Sequence, residues 1–272
     1  MADRPFRFLH TSDFHLEQPL YGVANIPEHL RAIFLDAPFQ AVQKIFELAL
    51  QHEVDFVVLA GDIVDFHRAD PRAAMFLADQ FQRLATQGIM VYWLEGEMDR
   101  AEDWPAAVIL PRNVRIFRHD RSTQEIFERD GIAVARIVGV GTDGTGEANH
   151  DSEELFTVAI QHGELDSAVL PGVDVGYWAM GGDHSSHTFR RKKFPGVFAH
   201  YPGTPQGRCP SESAVHGVTL VHVEADGQTH LESIDADIVT WMDETIEIND
   251  DASRDNLREM LALRTSELVD EN

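Results

Sequence analysis

A chain of 272 residues, 43% of them hydrophobic, is long enough to bury a full core as one large domain, and no Pro/Gly-rich linker, repeat or low-complexity stretch divides it. Its 46 acidic and 22 basic residues give a formal charge of -24, which opposes nucleic-acid binding except through a local basic patch or a partner, because phosphate rewards cationic surfaces. A single cysteine, Cys209, excludes an intrachain disulfide and a clustered-thiolate metal site, and with no signal-like start or membrane-length apolar span the expectation is a soluble, cytoplasmic protein.

In chain order, Phe6 to Ser12 alternates apolar and polar residues and reads as a strand that delivers Asp13 and His15 at its C-terminal end. Residues two apart in an extended segment point the same way. Ala37 to His52 carries Phe39, Val42, Ile45, Phe46, Ala49 and Leu50 at helical spacing. Asp55 to Ala60 is continuously apolar, as in a strand buried on both faces, and stops at Gly61-Asp62. Ala73 to Gln87 is a second helix, and Ile89 to Leu94 a third strand that ends in Glu95-Gly96-Glu97-Met98-Asp99. This is a βαβαβ half with a parallel sheet, whose ligand sites lie at the carboxyl ends of the strands.

After Arg112 the pattern changes to short strands at Val114 to Phe117, Ile132 to Val140, Phe156 to Gln161, Val175 to Met180, Val197 to His200, Val218 to Glu224 and Thr229 to Ile234. Two sheets packed face to face with helices outside accommodate them. His162 closes one of these strands, and His184 follows another. Residues 1–242 read as one domain and 243–272 as an acidic tail, with a helix start at Asp250 to Ser253 and an apolar stripe of Leu257, Met260, Leu261, Leu263 and Leu268.

Taken singly, Asp13, Asp62, Glu97 and His162 suit turns, caps and loops as well as they suit a metal. Their shared placement just after strands reverses that. Carboxylate and imidazole ligands suit manganese, iron or zinc. Met98 reads as a core filler, and His187 as a stray polar residue or a substitute ligand. The run Arg190-Arg191-Lys192-Lys193 is a solvated turn or a contact to phosphate.

The pieces Asp13-Phe-His15, Gly61-Asp62-Ile-Val-Asp65, Gly96-Glu97-Met98-Asp99, His162-Gly163 and Gly181-Gly182-Asp183-His184 resemble the five ordered motifs of calcineurin-like metallophosphoesterases. Tyr201-Pro-Gly-Thr-Pro-Gln-Gly-Arg208, followed by Glu212 and Gly217 to Val221, is similar to the SbcD-like DNA-repair exonuclease branch. The resemblance implies an α/β four-layer sandwich, two mixed β-sheets flanked by helices. It implies two divalent ions, usually manganese, and hydrolysis of phosphodiesters by a metal-activated water. Carried over by residue, Asp13, His15, Asp62 and His184 hold the first ion, and Asp62, as bridge, and His162 the second. Asp62 and His184 are the catalytic pair, and Arg190, Arg191 and Arg208 are candidates for substrate contact.

This chain departs from the motifs at three places. Glu97 and Met98 stand where the family has Asn and His, and Gly182 where it has His. Glu97 keeps an oxygen ligand with a longer reach, and Asp183 is a displaced substitute, whereas Met98 can neither donate a hydrogen bond nor relay a proton. If the site is impaired rather than lost, Met98→His with Gly182→His is expected to raise activity. The resemblance implies DNA ends as substrate, an SbcC-like coiled-coil ATPase as partner, and a homodimer. The alternatives are a catalytically impaired binding or scaffolding member and a small-molecule phosphoesterase, which the acidic surface suits better than duplex DNA.

Overall fold

The computed structural model describes residues 4–143, 155–164, 175–190, 198–248 and 253–271. The chain divides into two units, Met1–Trp241 and Met242–Asn272. In the first, β1 (Phe6–Thr11), α1 (Arg31–Gln51), β2 (Phe56–Ala60), α2 (Pro71–Thr86), β3 (Met90–Leu94) and β4 (Val114–Phe117) are followed by β5 (Thr123–Arg129), β6 (Ile132–Gly139), β7 (Phe156–His162) and β8 (Tyr177–Gly181). β9 (His187–Arg190), β10 (Phe198–Tyr201), β11 (Gly217–Val223) and β12 (Thr229–Asp235) complete it.

Among the described residues these strands form two six-stranded mixed sheets, ordered β12-β11-β1-β2-β3-β4 and β5-β6-β7-β8-β10-β9. β1 to β4 are parallel, with β11 antiparallel against β1. In the second sheet β6, β7, β8 and β10 run parallel between antiparallel edges. The expected α/β class of two mixed sheets flanked by helices is borne out.

Alternation along β1 sorts the two faces. Phe8 turns inward and joins Phe56, Tyr92, Val158 and Tyr177 in the core between the sheets, with Phe8 and Phe56 stacked at 4.9 Å and Phe8 edge-on to Tyr177 at 5.4 Å. Leu9 turns outward with Val57, Leu59 and Trp93, against Val42, Ile45 and Phe46 of α1 and Leu77 and Phe81 of α2. All five residues of β2 are buried, as a strand covered on both faces requires.

Three elements differ from the sequence reading. α1 begins at Arg31 and carries Pro38 inside. Proline has no N–H to offer the carbonyl one turn back, that of Phe34, and the Leu20 N–H takes it at 2.9 Å. β5 and β9 lie at the edges of the second sheet, and along β5 only Phe127 is buried, so no apolar run marks it.

In the second unit, α3 (Arg254–Glu271) is capped by Ser253, whose Oγ accepts from Asn256 N–H at 3.2 Å. Leu257, Met260 and Leu268 are half-buried along one face, but Leu261 and Leu263 are exposed, so the expected five-residue stripe is not a single face. The helix-start residues Asp250 and Asp251 lie outside the described residues. Among the described residues no helix is long and apolar enough to cross a membrane.

Candidate metal centre

β1 and β2 are neighbours, so the loops that follow them leave the sheet side by side. Their pairing continues past the strands: Asp13 N–H donates to Gly61 O at 3.0 Å, His15 N–H to Asp62 O at 3.1 Å and Leu16 N–H to Ile63 O at 3.2 Å. The turn is sharp. Asp13, His15 and Asp62 take φ of 55°, 45° and 53°, a region that costs a non-glycine residue about 1–3 kcal/mol and that clusters at functional sites. Gly61 lies between them at φ 87°, where a Cβ would come within 2.5 Å of His162 Nδ1.

Two groups of ligand atoms result, Asp13 with His15 and His184, and Asp13 with Asp62 and His162, the atoms of each lying within 4.8 Å of one another. The residue common to both is Asp13, not Asp62 as expected. One Asp62 oxygen is turned away to accept from Glu97 N–H at 3.0 Å and Met98 N–H at 3.4 Å, while the other faces His162 Nε2 at 3.4 Å. Both Asp13 oxygens accept from Gly182 N–H, at 3.2 and 3.0 Å, and its carbonyl accepts from Thr204 Oγ1 at 2.8 Å.

Each histidine is anchored through Nδ1. His162 donates it to Ala60 O at 2.8 Å. His184 Nδ1 lies 2.8 Å from Glu212 Oε1, and His15 Nδ1 3.5 Å from Glu17 Oε1. Burial pushes His162 down, but Asp62 outweighs it and raises the imidazole to about 9; burial pushes Asp62 up, yet its bond to His162 takes it down to about 2. Burial raises Asp13 above the usual carboxylate range, against the Gly182 N–H and the two nearby histidines.

Divalent ions fit these residues. The Nε2 of His15 is buried with no partner among the described residues, and a bare imidazole nitrogen grouped with the Asp13 carboxylate and a second imidazole is a donor set for a borderline or hard cation.

Around the ligands sits a second layer. Asp99 is buried and accepts four N–H bonds, from Asp62, Ile63, Gly96 and the Trp93 indole, at 2.7 to 3.1 Å, while burial pushes its carboxyl up to about 7. Glu212 accepts from the Arg208 backbone at 2.6 Å and its Nη2 at 2.9 Å; burial acts upward on Glu212, and the bonds from His184 and Arg208 bring it well below its ordinary value. Arg208 Nη2 also lies 2.7 Å from His184 Nδ1. That nitrogen donates to Glu212 when it carries hydrogen and accepts from Arg208 when bare.

Several expected roles change. Glu97 is exposed and its carboxylate belongs to neither ligand group; the residue serves through its backbone N–H. Met98 is 42% exposed, not a core filler, because the tight loop to Asp99 turns it outward. Arg208 is 3% exposed and bound to Glu212, Gln18 and His184, so it braces that histidine. His187 stacks on Tyr201 at 4.6 Å and lies in neither group, and half-buried Asp183 caps Ser185 N–H at 2.9 Å. Arg190 ends β9, and Arg191, Lys192 and Lys193 lie outside the described residues. Glu17, Thr204 and the hub role of Asp99 went unread; for Glu17 the available signal was its place two residues after His15.

A dimetal phosphatase from Danio rerio superposes over 84% of this chain and 98% of its own with a TM-score of 0.50 at 10% identity, a likeness of fold. YhaO of Bacillus subtilis (strain 168), described as an uncharacterized metallophosphoesterase, is 29% identical over 264 residues, covering 89% of this chain and 63% of its own length. The chain thus spans less than two thirds of that relative. Residues 6–184 match the family model of the calcineurin-like phosphoesterases. That stretch opens on the strand that delivers Asp13 and closes on His184, so it encloses every side chain of both ligand groups, and the chain belongs to the calcineurin-like phosphoesterases.

Proposed function

We propose that this chain is a metal-dependent phosphodiesterase acting at DNA ends, with Asp13, His15, Asp62, His162 and His184 as its ligands and manganese as its ion. The observation that carries the hydrolytic reading is the pair of ligand groups sharing Asp13, with His15 Nε2 left bare between Asp13 and His184. Ions held there lower the pKa of water and neutralise charge on phosphoryl oxygens. The protein's part is to place two carboxylates and three imidazoles, with Gly182 N–H holding the Asp13 carboxylate and Thr204 and Asp99 fixing the backbones of Asp13 and Asp62.

Met98, at the position of the family's histidine, offers no proton to a leaving alkoxide, so protonation falls to solvent. Loss of a positioned acid costs on the order of 10²- to 10⁴-fold in rate, which makes this a slow enzyme. The DNA-end reading is supported by the segment Tyr201 to Arg208 with Glu212, which braces the centre. A cytoplasmic location, an SbcC-like coiled-coil ATPase partner and a homodimer belong to the same reading. A small-molecule phosphodiester is the second reading, favoured by the charge of -24 and by the burial of Arg208.

The test is manganese-dependent hydrolysis of end-labelled single-stranded DNA and of a generic aryl phosphodiester, with bound metal counted and Asp62→Ala as control. Release of nucleotides from DNA ends, lost in Asp62→Ala, is expected. Cleavage of the aryl diester alone would transfer the assignment to small molecules. Bound metal with no hydrolysis of either would make the chain a binding or scaffolding member.

A further inference from the structure

Of the three histidines at the centre, His15 is the one anchored by a side chain outside every motif, that of Glu17. Glu17 side chain is 2% exposed, with one oxygen 3.5 Å from His15 Nδ1 and the other accepting Asp65 N–H at 3.0 Å. On the far side of the same ring, Nε2 is buried with no partner among the described residues. We propose that Glu17 is the positioning residue that presents His15 to a divalent cation, holding the ring as its Nδ1–H tautomer and clamping the loop after β1 to the loop after β2.

The argument is one of elimination by charge. With the proton on Nε2, the bare Nδ1 lone pair would face a carboxylate oxygen, two acceptors in contact, while the N–H pointed at nothing. With the proton on Nδ1, the carboxylate accepts it, and Nε2 keeps an unshared pair for an ion, in a residue that shares a ligand group with Asp13 and His184. A cation on Nε2 withdraws electron density from the ring and makes Nδ1–H a stronger donor, so ion and carboxylate reinforce each other. The same nitrogen is anchored in His162, by Ala60 O, and in His184, by Glu212. The second Glu17 oxygen, on Asp65 N–H, ties His15 to the segment that also carries Asp62.

This inference rests on the metal-dependent reading above, and Glu17→Gln tests it. The amide oxygen can still accept from Asp65 N–H, so the clamp survives, but the NH₂ then faces Nδ1 and drives the proton onto Nε2. The expected results are an unchanged melting temperature in chelator, a reversed His15 tautomer in the ¹⁵N imidazole shifts, and a loss of manganese affinity at the first group of about 10- to 100-fold, the usual cost of removing such a partner. Affinity at the Asp13, Asp62 and His162 group is expected to hold. An unchanged first-group affinity, an unreversed tautomer, or an affinity loss matched by an equal loss of metal-free stability would each overturn the proposal. Ion binding without hydrolysis in the wild type would sink the phosphodiesterase reading and leave this one standing, and hydrolysis with unaltered affinity in Glu17→Gln would do the reverse.

Discussion

Asp13 belongs to both ligand groups, whereas His15 belongs to one. Asp13→Ala is therefore expected to empty the centre of the about two ions that a two-metal site holds, and His15→Ala to leave one, as counted by elemental analysis after dialysis. Gly182 carries a different lesson. Its φ is 95° and a Cβ there would lie 2.9 Å from Gly163 N, so Gly182→His does not simply restore an absent ligand. Forcing a β-carbon into that backbone costs on the order of 1–3 kcal/mol, visible as a lower melting temperature, and Met98→His alone is the better route to a faster enzyme. The ligand types were legible because each follows an apolar run that ends as a strand, β1 and β2 of the first sheet or β7 and β8 of the second. Their grouping was not, since Asp62 also accepts from the backbone N–H groups of Glu97 and Met98, which no pattern of residue types reveals.

The helices and buried strands could be read from periodicity, and what escaped did so for local reasons. The helical pattern begins at Ala37 in the sequence, yet α1 starts at Arg31 and Pro38 sits inside it, Leu20 taking the carbonyl that proline leaves idle. β5 escaped because an edge strand with one buried side chain has no apolar signature. β1 and β10 bring two histidines between the sheets: His10 bonds the Tyr177 hydroxyl at 2.9 Å, and His200 bridges the hydroxyls of Thr188 and Thr219 at 2.8 and 2.7 Å. Burial, with repulsion from His187, lowers His200 to about 4, and burial with repulsion from His200 takes His10 well below its ordinary value. Unfolded, both bind protons near pH 6.5, so the folded state loses stability as pH falls from about 6.5 toward 4. Melting temperature followed in chelator across that window is expected to fall, and His200→Gln, which keeps both hydroxyl bonds, is expected to flatten the slope.

A net charge of -24 acts on the whole molecule. The one arginine beside the centre whose surroundings are described, Arg208, is already neutralised by Glu212, so little cationic surface faces a polyanion there. Binding of a short DNA duplex to the Asp62→Ala variant is expected to be no tighter than the roughly 10⁻⁶ to 10⁻⁴ M of non-specific complexes at physiological salt, read by fluorescence anisotropy. Tighter binding would assign the work to the run from Arg190 to Lys193. The loops of Asp13 to Leu16 and Gly61 to Ile63 are zipped together by main-chain bonds. Main-chain pairing of this kind is expected to hold both loops in place before a cation arrives, so that little affinity is lost to ordering the chain. The amides of Asp13, His15 and Leu16 should resist hydrogen exchange in chelator nearly as well as in manganese. Added metal should then raise the melting temperature by mass action, in step with its free concentration, leaving the exchange pattern unchanged.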